Sequence, residues 1–550
     1  MEDVCRIGSM TSKESSIGSS VVLSERSLKV EMPPQLLRGV YLHQCLGGWG
    51  RHWASADTAE QACDFRLSRP TQRIDNFLSH DWKTSRWLKL AALLVVFNSR
   101  AAAVATLLVS VSVGILRASG VLPDEAWTVA LGHVTFFSVF FGWQRLRSFC
   151  RPRTVFLDKL CIAQHDAALK EQGILGLAAF LDIADELTVL WSPRTLQRLW
   201  CVYEISTFLR KPEKRKQVHI IPVKLALMLC VNSLSWFVMA GGYSVIANTS
   251  GREVSWARTL LGSLCMCFAA VLFPWTYYVG IGMMEDLSTL PQQLSNFRIQ
   301  DAESMCCSRQ HVHPETQQDV PCDRELVFAT LQQWFGRAGD APGKHLTDFN
   351  RLVRKELAPS VLKSVGRDHL PVWYTLYMAV SGSTPFLSDC ISLLAKGPPG
   401  NLSSGGTVIW GIRTFISFTY VPVLAVLATR LNLCFCWHGF RMAHHSACRS
   451  RFCVAVLLSQ LGIIIVATFW ALFFISSSQV EASSWIPIVP FLLLLAATAT
   501  LFRNGCMPDG ETSSESAAAT SRKERLEPFQ SGVPNNGQKR GDEEESTFEV

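Results

Sequence analysis

"ELTVLWSPRTLQRLWCVYEI", residues 186 to 205, changes grammar halfway along. The run 186–191 is apolar and rich in β-branched and aromatic side chains, the pattern of a buried strand. Ser192 and Pro193 then offer an N-cap and a first-turn proline, which predicts a helix over about 193–210. In that helix Trp200, Glu204 and Phe208 stand four residues apart and share one stripe. Apolar neighbours raise the pKa of such a carboxyl, so it either has a partner or does chemistry.

Three more runs share the strand grammar: "RIDNFLSH" (73–80), "RTVFLDKL" (153–160) and "QVHIIPV" (217–223). Helical stretches at about 84–98 and 166–184 separate them. Strand, helix, strand at this spacing predicts an open parallel sheet with helices on both faces and ligands at the carboxyl ends of its strands.

The rest of the chain belongs in a bilayer. Of 550 residues 48% are hydrophobic and 18% charged, and the mean hydropathy is +0.19, which is apolar for a soluble protein and suggests a membrane one. About 20 apolar residues cross roughly 30 Å of hydrocarbon. By that measure eight segments read as spans, in four hairpins: 101–118 with 126–143, 225–247 with 256–282, 372–395 with 407–430, and 453–476 with 484–502. Each hairpin returns the chain to one side, so the N-terminus, 144–224, 283–371, 431–452 and the C-terminus share a compartment. Arg145, Arg147, Arg151, Arg153, Lys214, Arg441 and Arg451 lie there, which makes it the cytosol.

The N-x-S/T sequons at Asn248 and Asn401 fall in far-side loops, where glycosylation is possible chemistry, and those loops hold no cysteine, so no disulfide framework is expected from the 18 cysteines. The start lacks the apolar core of a cleaved signal, and the first span serves as insertion signal. The net charge of +7 follows from basic cytosolic flanks and does not call for nucleic acid.

The expected fold is therefore an α-helical multi-pass membrane protein of about eight spans with an inserted α/β, flavodoxin-like cytosolic domain. That domain comprises 71–98 and 144–224, interrupted by the hairpin 101–143; further hairpins occupy 225–282, 372–430 and 453–502. A cytosolic linker domain covers 283–371 and a basic Cys/His loop 431–452, while 1–30 and 508–550 have the composition of disordered tails.

"NFLSHDW", "VFLDKLCI" and "LTVLWSPRTLQRLWCVYEI" together resemble the TIR (Toll/interleukin receptor) domain. They match its opening strand and loop, its second strand, and its third strand leading to a helix with W-C-x-x-E. The resemblance covers roughly 90 of the residues, without a counterpart of the family's fifth strand. "FLDKLCI" and "LWCVYE" are also similar to stretches in a family of multi-pass membrane proteins. The TIR resemblance implies signalling by self-association, with NAD as substrate in the NAD-cleaving members. It places Glu204 at their catalytic glutamate, with Ser79, His80, Asp81, Ser192 and Trp200 lining the nucleotide mouth. The bland alternative is a structural Glu204, paired with Lys159 or an arginine, in an assembly module without catalysis.

Two other constellations stand out. Cys306, Cys307, His311, His313 and Cys322 fall within 17 residues, enough soft and imidazole ligands for a tetrahedral zinc, although the spacing is not a standard one. Asp389 and Arg413 lie at similar depth in adjacent spans and are expected to pair. They carry the rival functional reading, a channel or transporter with a regulatory TIR-like domain.

Overall fold

The structure, a computed structural model, describes residue 28 and residues 32–503, apart from 55–63, 211–216, 249–254, 313–316, 318, 338, 366–371, 399, 401, 446–449, 479–480 and 482–483. The tails expected to be disordered, apart from Leu28, and the sequon at Asn401 thus lie outside the described residues; Leu28 is buried, its N–H donating to Thr330 Oγ1 at 2.9 Å, and Asn248 ends a helix.

The four strand-like runs form neighbouring parallel strands of one sheet. They are β3 (Ile74–His80), β4 (Thr154–Phe156), β5 (Ala184–Trp191) and β6 (Val218–Pro222). β3 pairs in parallel with β4 and β5, and β5 with β6. Phe77 sits opposite Phe156 on one side and Leu187 on the other. Phe77 and Phe156 stack with centroids 4.4 Å apart, and Phe180 from a covering helix lies 4.5 Å from Phe156. All three phenylalanines are buried, which is why these strands read as continuous apolar runs.

Two strands were not anticipated. β1 (Arg38–Tyr41) and β2 (Arg69–Pro70) extend the sheet in the order β2-β1-β4-β3-β5-β6, with β1 antiparallel to both β4 and β2, so the sheet is mixed rather than parallel. "RGVY" is too short to announce itself; the exposed edge of β4 makes it a strand by setting Val40 against Val155, and both are buried.

Three helix expectations need correction. The stretch 84–98 and the first span are one helix, Arg86–Ala118, 33 residues or about 50 Å long at 1.5 Å per residue. No Gly or Pro interrupts it between, and the polar residues at the junction are satisfied. Asn98 Nδ2 donates to Phe140 O (2.7 Å) and its Oδ1 accepts from Gln144 Nε2 (2.9 Å), while Ser99 Oγ donates to Val95 O. The 166–184 stretch is two helices, Ala167–Leu175 and Leu177–Asp182, parted at Gly176. The helix expected from Ser192 begins at Leu199 (Leu199–Leu209), after a 3-10 turn at Thr195–Gln197. Ser192 is committed to that turn, its N–H donating to Thr195 Oγ1 at 2.9 Å.

Four helices among the described residues are long and apolar enough to cross a bilayer: Arg86–Ala118, Val223–Gly242, Ser404–His444 and Arg451–Ser477. They mark a membrane protein, with one candidate from each expected hairpin. The partners at 126–143 and 256–282 fall in helices Ala126–Arg147 and Ser255–Ser295. The other two differ from expectation. The 484–502 partner is a 16-residue helix, Ile488–Arg503, about 24 Å long against roughly 30 Å of hydrocarbon. The 372–395 segment is broken: helices Val372–Ala379 and Leu387–Lys396 flank 3-10 turns at Val380–Gly382 and Thr384–Phe386, where Pro385 cannot donate to a continuing helix.

The expected Asp389–Arg413 pair does not form. Asp389 is bound by Arg117, which also holds Asp124 at 2.8 Å, and Arg413 donates to the carbonyls of Ser477 and Glu481. Twelve described cysteines are free, but Cys434 is disulfide-bonded where no disulfide was expected.

Candidate functional site

β3 and β5 are neighbours, yet the chain reaches β5 only after pairing β4 on the other side of β3. The crossovers therefore part at the carboxyl ends of β3 and β5, the place where open α/β sheets leave a crevice. Ser79 and His80 end β3, Asp81 and Trp82 follow it, and the 199–209 helix lies across the same end through its bond to β3, Cys201 Sγ to His80 O at 3.3 Å.

Glu204 sits deep beside this end while part of its surface reaches solvent. Burial raises its pKa to about 8, Asp158 adds to the rise, and Ser79 facing it pulls the other way. Ser79 Oγ makes no hydrogen bond of normal length, and His80 Nε2 has none either, although both atoms are buried. Burial, and secondarily the Lys89 charge, holds His80 well below its usual pKa and so neutral.

Residues not anticipated for this site surround it. Asp158 heads the short helix after β4, accepts from Trp82 Nε1 at 2.9 Å, and is raised by burial. Its place at a strand end was the signal that could have found it. Lys89, fully buried, lies 5.1 Å from the Trp82 ring and 5.9 Å from Trp53. Arg198 Nε is 3.8 Å from Asp81 Oδ1. Lys159 does not serve Glu204: its ammonium donates to Ala54 O and lies 3.5 Å from Asp64.

Two of the expected mouth residues are engaged elsewhere. Ser192 is in the 3-10 turn, and Trp200 Nε1 donates to Asp323 Oδ2 at 3.1 Å. The N-terminus of the 199–209 helix is also occupied, since Leu199 N–H donates to Glu303 O at 3.0 Å. An anion there would compete with a protein carbonyl, so this helix start is not a free anion site.

The Cys/His cluster forms a second centre. Cys306, Cys307, His311 and Cys322 bring four donor atoms within 4.8 Å of one another, which can hold a metal ion; His313 lies outside the described residues. Cys306 and Cys307 share the single-turn helix Met305–Ser308, and Cys322 immediately precedes the helix Asp323–Phe335.

Compared with protein-family models, with curated proteins and with solved structures, the chain matches none.

Proposed function

We propose that this multi-pass membrane protein displays a TIR-like domain to the cytosol, signals through its self-association, and admits NAD to the crevice beside Glu204. The observation that carries the reading is Glu204 itself: a carboxyl with a pKa of about 8, deep in the fold and still reached by solvent, facing the Ser79 hydroxyl at the strand ends.

The chemistry follows from the groups present. Water adds to the anomeric carbon of the nicotinamide-bearing ribose, the glycosidic electron pair returns to the pyridinium nitrogen, and nicotinamide, ADP-ribose and a proton are the products. The developing oxocarbenium charge is stabilised by the Glu204 carboxylate. The cationic nicotinamide ring favours ionisation of Glu204, because an opposite charge lowers a carboxyl pKa. Ser79 and His80 are free to bond ribose or base, and Arg198 supplies positive charge for the pyrophosphate in place of the occupied helix start.

Ligand-induced thermal stabilisation of the full-length protein in detergent tests the binding half. NAD and ADP-ribose raise the wild-type melting temperature, and the shift falls in Arg198→Ala and Ser79→Ala. Equal melting curves with and without millimolar NAD would contradict the assignment.

The rival reading, transport, has one observation in its favour: the interrupted passage at 372–396. Its polar groups are met within the protein, however. Ser383 Oγ and Thr384 Oγ1 donate to Val380 O, Ser388 Oγ to Pro385 O, and Gly382 O contacts His133 Nε2 at 3.1 Å. A closed break supports packing better than a substrate path.

A further inference from the structure

We propose that Cys306, Cys307, His311 and Cys322 bind one zinc ion in a closed tetrahedral site, and that this zinc clasps the 299–323 segment onto the first turn of the 199–209 helix.

The distances carry the assignment. Zinc bonds of about 2.3 Å to sulfur and 2.0–2.1 Å to nitrogen give a tetrahedron whose edges are ~3.8 Å between sulfurs and ~3.6 Å between sulfur and nitrogen. Cys307 Sγ lies 3.9 Å from Cys306 Sγ, 3.7 Å from Cys322 Sγ and 3.6 Å from His311 Nε2. These separations are far beyond a disulfide bond of about 2.05 Å. Three thiolates and an imidazole select zinc over hard cations, and four protein ligands leave no open position for catalysis.

The surroundings are prepared for a thiolate. The Asp323 N–H donates to Cys306 Sγ at 3.3 Å, and Ser304 Oγ lies 3.0 Å from the same sulfur. Gln310 and His311 both adopt positive φ, 53° and 62°. Such a conformation is strained for a non-glycine residue, and it persists where something over-determines it. Here it turns the His311 imidazole back towards the thiols.

The same segment grips the helix that bears Glu204. Glu303 forms a parallel bridge with Arg198, receives the Leu199 N–H, donates its own N–H to Gln197 O at 2.6 Å, and pairs with Arg194 at 2.8 Å. Asp323, next to the ligand Cys322, accepts from Trp200 Nε1 and Ser304 Oγ, each at 3.1 Å. Zinc held by residues 306–322 thereby fixes the segment whose Glu303 and Asp323 grip the helix start, more than a hundred residues earlier in sequence.

The test is metal analysis of the full-length protein, purified in detergent under reducing conditions without chelator. Wild type holds about one zinc per chain, as a single four-ligand site requires. Cys306→Ser and Cys322→Ser lose it, and His311→Cys, which replaces one good ligand by another, keeps it. Cobalt(II) exchanged into the wild type shows thiolate charge-transfer bands and the intense visible bands of a tetrahedral ion. Removing zinc with a chelator speeds amide hydrogen exchange at Leu199–Tyr203 several-fold and leaves β3 unchanged. Metal-free wild type without cobalt bands, zinc retained by Cys306→Ser, or a Cys307–Cys322 disulfide in protein alkylated before denaturation would each overturn the site. Unchanged exchange at Leu199–Tyr203 after full zinc removal would overturn the clasp. His311→Cys keeps the proposal testable if the serine variants fail to fold.

Discussion

Glu204 holds its proton at neutral pH because burial raises its pKa to about 8, and that has a sign. The folded state keeps a proton that the unfolded chain gives up near the ordinary glutamate value of about 4.3, so folding loses stability as pH rises between the two values and no further above them. A permanently neutral isostere escapes this loss. We predict that Glu204→Gln melts higher than wild type by several degrees at pH 8, that the gap closes as pH falls towards 4.5, and that melting curves across this range show both. Trp200 tells a different residue-scale story. Its indole serves Asp323, and Trp200→Phe is expected to cost about 1.5–3 kcal/mol through one lost hydrogen bond to a charged group, read as a lowered melting temperature with the sheet intact. Spacing alone made Glu204 stand out, since Trp200, Glu204 and Phe208 recur at helical intervals. The partners of Trp200 and Leu199 lay beyond any local pattern, because they come from residues 303 and 323, after two further long helices.

At the scale of elements, the sheet runs straight into candidate spans. The 86–118 helix begins beside β3 and continues as a candidate span, and β6 ends at Pro222, where the Val223–Asn248 helix starts. The junction of the first hairpin is fixed by Asn98 against Phe140 O and Gln144. Asn98→Ala strands both partners and should destabilise by about 1–3 kcal/mol. Gln144→Ala added to it costs less than the two single changes summed, and a double-mutant cycle on melting temperature measures the coupling. The strands of the parallel sheet were legible because each buried apolar run meets its neighbours on both faces. β1 and β2 were not, since pairing of β1 with β4, and of β2 with β1, and not their own composition makes them strands. Helix ends were the least legible: nothing in "WKTSRWLKL" separates a surface helix from a span, and the turn after Ser192 is decided by Glu303 occupying Leu199 N–H.

For the whole molecule, Arg117 at the end of the 86–118 helix holds Asp124 and Asp389, which ties that helix to the Leu387–Lys396 helix. On the proposed topology, glycosylation sequons engineered into 119–125 and 479–487 are modified in cells, and sequons placed in 323–357 are not; a gel shift removed by endoglycosidase reads the difference. The central claim, that the crevice beside Glu204 cleaves NAD, is tested most directly by following nicotinamide release from NAD by the full-length protein in nanodiscs, alongside Glu204→Gln and Glu204→Ala at matched folding. The account predicts release by wild type, with kcat/KM rising through about pH 8 as Glu204 ionises, and loss of at least about a hundredfold in both variants, the scale of one electrostatic stabiliser. Folded wild type that leaves NAD untouched even when clustered, or variants as active as wild type, would contradict it.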